Sequence, residues 1–280
     1  MKRRSGTGLV GIMAFLIACV GAWGEPATVG EYQRSPTARI ALIIDDLGYM
    51  PGNDHRAVAL DGPVACAILP HTPYAARVAE RAHAAGKEVL LHLPLQPMTQ
   101  FEATSAGTIQ IDTTKSEMLR ILTIGLAAIP HVVGVNNHQG SLLTRHPGHM
   151  TWLMNALRSR GDLFFVDSFT SDASVALLIA REQGVPSTRR DVFLDTTPTL
   201  QAIDAEFRRL KRRARSHGVA VGIGHPYTVT LDYLEQAIPA LLAEGFELIP
   251  VSKAIMLQSR PAIQTAHLDG PALERQGFGR

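Results

Sequence analysis

The sequence predicts one α/β domain, a closed or nearly closed (β/α) barrel of about seven to eight mostly parallel strands, and three observations predict it. Short apolar runs alternate with longer amphipathic segments from residue 40 to residue 251. Most runs are apolar throughout rather than alternating, the pattern of strands covered on both faces. Gly86, Gly161, Gly184, Gly218 and Gly245 each stand at the end of a helical pattern, shortly before the next run, where a helix stops in a left-handed conformation. Strand–helix repetition builds right-handed βαβ units, and about eight strands favour a barrel over an open doubly wound sheet.

The elements follow in order. Lys2, Arg3 and Arg4 precede an apolar stretch over 9–20 and the small-residue site Ala22-Trp23-Gly24, the layout of a secretory signal peptide over 1–24. The stretch is short for a bilayer span, which needs about 20 residues. Leu16-Ile17-Ala18-Cys19 also resembles a lipobox, so export as a lipoprotein stands beside soluble export to the periplasm or cell envelope. Residues 25–38 are polar with two prolines and read as a linker. The domain then spans 39–257, with strands at 40–44, 64–69, 89–92, 132–136, 163–167, 192–194, 219–223 and 247–251. Helical patterns lie at 75–85, 116–129, 150–160, 174–183, 200–217 and 230–244. Residues 258–280 lack periodicity and read as a disordered tail.

Composition narrows the function. Charged residues make up 19% and the net charge is +2, without the concentrated basic surface that nucleic acid requires. The basic run at 208–215 (RRLKRRAR) reads as a solvated helix face. A membrane enters only through a lipid anchor or an uncleaved signal. Of the two cysteines, Cys19 lies in the signal and Cys66 in the apolar run VACAIL, which leaves the mature chain no disulfide and no cysteine-based zinc site. No glycine-rich phosphate loop opens a helix.

In parallel α/β domains the working residues gather at the carboxyl ends of strands. The first strand ends in Asp45-Asp46. Adjacent carboxylates after an apolar run are costly unless paired or metal-bound. Neighbouring strand residues face opposite ways, so both reach one pocket only if the backbone turns; one then binds metal and the other takes a proton from water. His92 ends the third strand between apolar residues and ahead of Pro94 and Pro97. The fourth ends in Asn136-Asn137-His138-Gln139, with Asn137 and Gln139 as candidates to orient a ligand histidine. Asp167, followed by Ser168, ends the fifth and is placed to orient a histidine or meet substrate. Arg190 and Asp195 flank the sixth, and Arg189 or Arg190 is a candidate ion-pair partner for a site carboxylate. His225 ends the seventh after small residues that admit a substrate, and is a candidate general acid. One Asp and two His suit zinc or a similar divalent ion.

The runs IIDDLG, HLPLQP, NNHQGS, VDSFTS, RRDVFLD and GIGHP, in this order, resemble the divergent polysaccharide deacetylase family, related to the NodB-type carbohydrate esterases. The resemblance spans nearly all of 39–257. It implies a distorted NodB-like barrel holding one divalent metal ion, usually zinc, that hydrolyses an amide and removes N-acetyl or related acyl groups from an envelope or extracellular glycan. By position it makes Asp45 the catalytic base, Asp46 a metal ligand and His225 the general acid. NodB-type enzymes carry two closely spaced ligand histidines. Here Gln96 stands four residues after His92, so the third ligand comes from elsewhere, and His138 is the choice. Asn137, Asp167, Ser168, Arg190 and Asp195 are assigned to substrate binding or support. Two other readings use the same fold: a non-catalytic glycan-binding or envelope-assembly protein, and a metal-dependent glycosidase or amidase.

Overall fold

A computed structural model describes residues 37–99 and 107–259. The signal peptide, nearly all of the linker and the tail beyond residue 259 lie outside the described residues. No described helix is long and apolar enough to cross a membrane.

The chain runs β1 (Arg39–Leu47), α1 (Pro51–Ala59), β2 (Ala65–Ile68), α2 (Ala75–Ala84), β3 (Val89–Leu95), α3 (Lys115–Ala128), β4 (Val132–Gln139) and a 3-10 turn (Leu143–Arg145). It continues through α4 (Pro147–Arg158), β5 (Phe164–Asp167), α5 (Ala176–Glu182), β6 (Ser187–Arg189), β7 (Val192–Phe193), α6 (Leu200–His217), β8 (Val219–Gly224), α7 (Thr228–Ala243), β9 (Glu247–Leu248) and α8 (Val251–Ser259). The sheet order is β6-β5-β4-β3-β2-β1-β8-β7, with β9 beside the start of β1, and every strand pair is parallel. The five glycines expected to stop helices all take positive φ.

The two ends of this order, β6 and β7, are one stretch of chain interrupted only by Arg190 and Asp191. Arg190 N–H donates to Asp167 O at 3.0 Å and Asp191 N–H to Val221 O at 2.9 Å. A single bent segment thus pairs first with β5 and then with β8, and the barrel is distorted at this seam. The expected strand at 192–194 is only the second half of the segment. Its first half, Ser187-Thr188-Arg189, is polar and carries no apolar signal. The run at 247–251 holds strand only at Glu247–Leu248, because α8 begins at Val251. Helix α1, with Pro at its start and a polar sequence, gave no apolar period to read.

Most strands are apolar on both faces for a reason visible in β1. Ile40, Leu42 and Ile44 pack outward under the helices, together with Cys66, Leu91 and Phe165. Ala41 and Ile43 pack inward with Leu90, Phe164, Val166, Val221 and Ile223. Val251, Ala254 and Ile255 of α8 join this inner cluster and stopper one end of the barrel. At ~25 cal/mol per Å² of apolar surface, each large side chain so buried contributes about 1.5–3 kcal/mol.

Candidate active site

The site is the inward row of each strand, continued past the apolar core into polar residues. In β1 the row Ala41–Ile43 leads to Asp45; in β3, Leu90 leads to His92. In β4 it holds Asn136 and His138, after β5 it reaches Ser168, and past β8 it reaches His225. The same two-residue period places Phe193 and Asp195 inward on the bent segment. Asp167 falls on the opposite parity, which is why it does not reach the cleft. Asp46 has the outward parity too, but its φ of +58° and a register shift between Ile44 and Leu47 turn it back. The two carboxylates therefore share one cleft of about 230 Å³, lined also by His92, His138, Phe193 and His225.

Asp46 Oδ1 stands 3.1 Å from His92 Nε2 and 2.9 Å from His138 Nδ1, and these two ring nitrogens lie 3.3 Å apart. The three side chains form a group able to hold a metal ion. Asn136, fully buried, sets the chemistry of the group. Its amide Nδ2 donates to Asp45 Oδ1 at 2.7 Å and to Ser168 Oγ at 3.3 Å, so its Oδ1 faces His92 Nδ1 at 2.9 Å. The Nδ1 must then be the donor, and in the neutral imidazole Nε2 presents a lone pair to Asp46. Asp46 Oδ1 is itself buried without a hydrogen-bond donor. Lone pairs converging from a carboxylate and two imidazoles suit a cation, and this donor set suits zinc or a similar divalent ion. The orienting role foreseen for Asn137 and Gln139 belongs to Asn136.

The electrostatics agree. Burial raises the Asp45 pKa against the pull of His92 and His225. Burial also works to raise Asp46, but the His138 and His92 rings beside it, when charged, hold it well below the usual carboxylate range. Burial depresses His92, yet Asp45 and Asp46 raise it overall. The carboxylate pair demands positive charge, which protons or a metal ion supply.

On the other side of the cleft, His225 Nδ1 lies 2.8 Å from Asp195 Oδ1, while Asp195 Oδ2 accepts from His225 N–H at 2.7 Å and from Thr230 Oγ1 at 2.8 Å. The carboxylate fixes the tautomer, leaving Nε2 toward the cleft, 4.0 Å from Asp46 Oδ2. Burial lowers the His225 pKa, but the Asp195 hydrogen bond and charge bring it up to about 9. The small residues before His225 do not admit substrate. A methyl on Gly222 would meet Leu210 and Leu42, and one on Gly224 would meet Thr230, Asp195 and Leu194; the glycines make room for α6 and the Asp195 carboxylate.

The remaining expected residues hold the loops. Asp167 accepts from Phe169 N–H at 2.9 Å and Ser174 Oγ at 2.7 Å, so it neither orients a histidine nor lines the cleft. Asn137 accepts from Ser168 N–H at 2.8 Å and donates to Gln139 O at 2.7 Å. Arg190 forms no ion pair with a site carboxylate. It donates to the carbonyls of Ser168 and Phe169 at 2.7 and 2.6 Å, and its guanidinium lies 3.6 Å from the Phe193 ring centroid. Burial lowers its pKa to about 10. Gln96 accepts from Ile111 N–H at 2.7 Å and serves the loop after β3. Three of four non-glycine residues with positive φ among those described, Asp46, Gln139 and Phe169, border the site; such strain costs about 1–3 kcal/mol each. Asn136 and Thr230 carried a readable sign only in strand parity and in the helix that follows β8.

Fold and site together define a NodB-like α/β protein. The chain belongs to the divergent polysaccharide deacetylase family, whose model matches residues 42–255. It is 34% identical over 228 residues to the uncharacterised protein YibQ of Escherichia coli (strain K12), covering 81% of this chain and 70% of that one. Among solved structures it is similar to the uncharacterised protein ATU2773 from Agrobacterium tumefaciens C58, with TM-score 0.75 and 23% identity over 80% of this chain and 91% of that one. It also resembles the catalytic domain of a peptidoglycan N-acetylglucosamine deacetylase from Eubacterium rectale ATCC 33656, with TM-score 0.51 and 20% identity over 81% and 94%. These two structural likenesses are of fold.

Proposed function

We propose that this chain is an exported, metal-dependent hydrolase that removes N-acetyl or related acyl groups from an envelope or extracellular polysaccharide. The observation that carries the proposal is the placement of the Asp46–His92–His138 group between Asp45 and His225 in one cleft. Family membership and a fold shared with a peptidoglycan deacetylase support the substrate class. The basic, then apolar, first 24 residues support export.

Asp46, His92 and His138 would hold the ion, most suitably zinc. A divalent ion there supplies Lewis acidity, polarising the acyl carbonyl and acidifying a water. Asp45, buried and raised in pKa, takes the proton from the attacking water, with Asn136 keeping its other oxygen occupied. His225, held protonated by Asp195, gives a proton through Nε2 to the departing amine nitrogen. Ser168 and Asn137 keep the β4 and β5 loops in register around these groups.

Purified full-length protein should carry about one zinc or similar ion per chain and release acetate from peptidoglycan or chitooligosaccharides, and Asp46→Ala should lose both. Glycan binding without acetate release from the metal-loaded protein would replace the hydrolase with a binding protein. Reducing ends, or amines from peptide cleavage, would redirect it to a glycosidase or amidase.

A further inference from the structure

A second site lies at the split seam of the barrel. From β1 to β8, successive strands are joined by a helix in every case but one: β6 passes to β7 through Arg190 and Asp191 alone. No helix is inserted at that step, and a groove of about 430 Å³ remains beside α5, the end of α6 and Gln258 of α8, whose Oε1 accepts from Thr188 Oγ1 at 2.6 Å. Arg181, Thr188, Arg189, Asp191, His217 and Val219 line it, and none of them lines the cleft. The acid in the groove is already committed: Asp191 accepts from Arg213 Nη2 at 3.0 Å and from Val221 N–H at 2.9 Å. The two arginines are not. Among the described residues neither Arg181 nor Arg189 has a close ion pair or a side-chain hydrogen bond; Arg189 lies over the Phe169 ring, 4.6 Å from its centroid, with the buried Asp167 carboxylate as a longer-range charge neighbour. In the basic run of α6, by comparison, Arg208, Arg209, Lys211, Arg213 and Arg215 have carboxylate partners and Arg212 has none among the described residues.

We propose that this groove binds a phosphate group. Two guanidiniums lining one groove present like charge and hydrogen-bond donors to an oxygen anion. Each is a planar fork that takes two oxygens, so a single carboxylate satisfies one fork, whereas a phosphate can engage both. His217 adds a further polar wall; its Nδ1 donates to Arg213 O at 3.1 Å, which leaves Nε2 as its remaining polar atom. The phosphate is that of a soluble phosphorylated polymer or of a lipid headgroup. The site is independent of the hydrolase reading, because it shares no residue with the cleft.

The test titrates full-length protein, at low ionic strength, with inorganic phosphate, with a soluble glycerol-phosphate oligomer, and with phosphatidylglycerol vesicles against phosphatidylcholine vesicles. Arg181→Gln and Arg189→Gln should each weaken binding of at least one phosphate probe about tenfold, with the thermal midpoint unchanged for Arg181→Gln, whose side chain is exposed. Arg212→Gln, an equal charge change on α6, and Asp46→Asn, which removes a proposed metal ligand from the cleft, should leave binding unchanged. Binding of the soluble probes assigns the phosphate to a soluble source, and binding of the anionic vesicles alone assigns it to a lipid. Failure of every probe, equal loss in Arg212→Gln, or loss in Asp46→Asn would overturn the proposal.

Discussion

Replacing Asn136 with alanine tests the central contact of the site without needing a substrate. The amide is fully buried and joins Asp45 Oδ1, Ser168 Oγ and His92 Nδ1. Its removal strands a carboxylate oxygen and an imidazole N–H. The bond to the ionised carboxylate is worth about 1.5–3 kcal/mol and the neutral one about 0.5–1.5 kcal/mol. The sum is about 2–4.5 kcal/mol, reduced to the extent that cleft water reaches the stranded atoms. In a domain of this size each kcal/mol moves the thermal midpoint by about 2–4 °C, so the metal-free variant should melt at least 4 °C below the parent. The same amide holds His92 in the tautomer that turns Nε2 to Asp46. Losing an orienting partner of a ligand histidine typically costs about 10–100-fold in metal affinity. Calorimetric unfolding and competitive zinc titration measure the two effects separately. A variant that melts within a degree of the parent and binds zinc equally well would refute the claim that Asn136 organises the site.

Other consequences follow from single residues. Asp195→Asn removes the charge that holds His225 up at about 9, so the His225 pKa falls. A general acid works only while protonated, and activity is lost as pH rises through its pKa; the alkaline limb of the acetate-release profile should therefore move to lower pH by about 1–2 units. Gly222→Ala would set a methyl 2.7 Å from Leu210 Cδ2 and 3.0 Å from Leu42 Cδ2, and overpacking of this kind costs about 1–3 kcal/mol, readable as a lower denaturant midpoint with metal affinity retained. Burial pushes the Cys66 thiol up to about 12, so in a Cys19→Ser background the native protein should resist a thiol reagent at pH 8 and react only on unfolding; fast reaction of the folded chain would contradict the packing around β2.

Much of the domain was legible because its causes are local. A fully apolar run between glycine-stopped amphipathic segments has few stable outcomes other than a buried parallel strand, and β1 through β5 and β8 lie where those runs lie. Polar residues directly after such runs sit at the strand ends, which brought Asp45, Asp46, His92, His138 and His225 onto one list. The elements that escaped notice lack a local signature: β6 is polar, α1 is short and polar, and α8 begins where a strand pattern was still running. What was not local was division of labour. Asp167 and Ser168 are neighbours, yet only Ser168 continues the inward row, and Asp167 is spent on the turn that follows. Arg190 stands among acids in sequence but meets carbonyls and a ring in space.

The sequence by itself determined the alternation of strands and helices, the inward parity of Asp45, His92 and His138, and the family motifs, because each depends on spacing along one strand or on residue type. Only the tertiary structure decided that Asp46 joins them, since that needs a left-handed residue and a register shift against β2. It alone made Asn136 the bridge between Asp45 and His92, bound His225 to Asp195 across 30 residues, and left a groove at the β6–β7 seam lined by Arg181 and Arg189. Those are contacts between elements distant in the chain, and their geometry exists only once the barrel has brought the strand ends together.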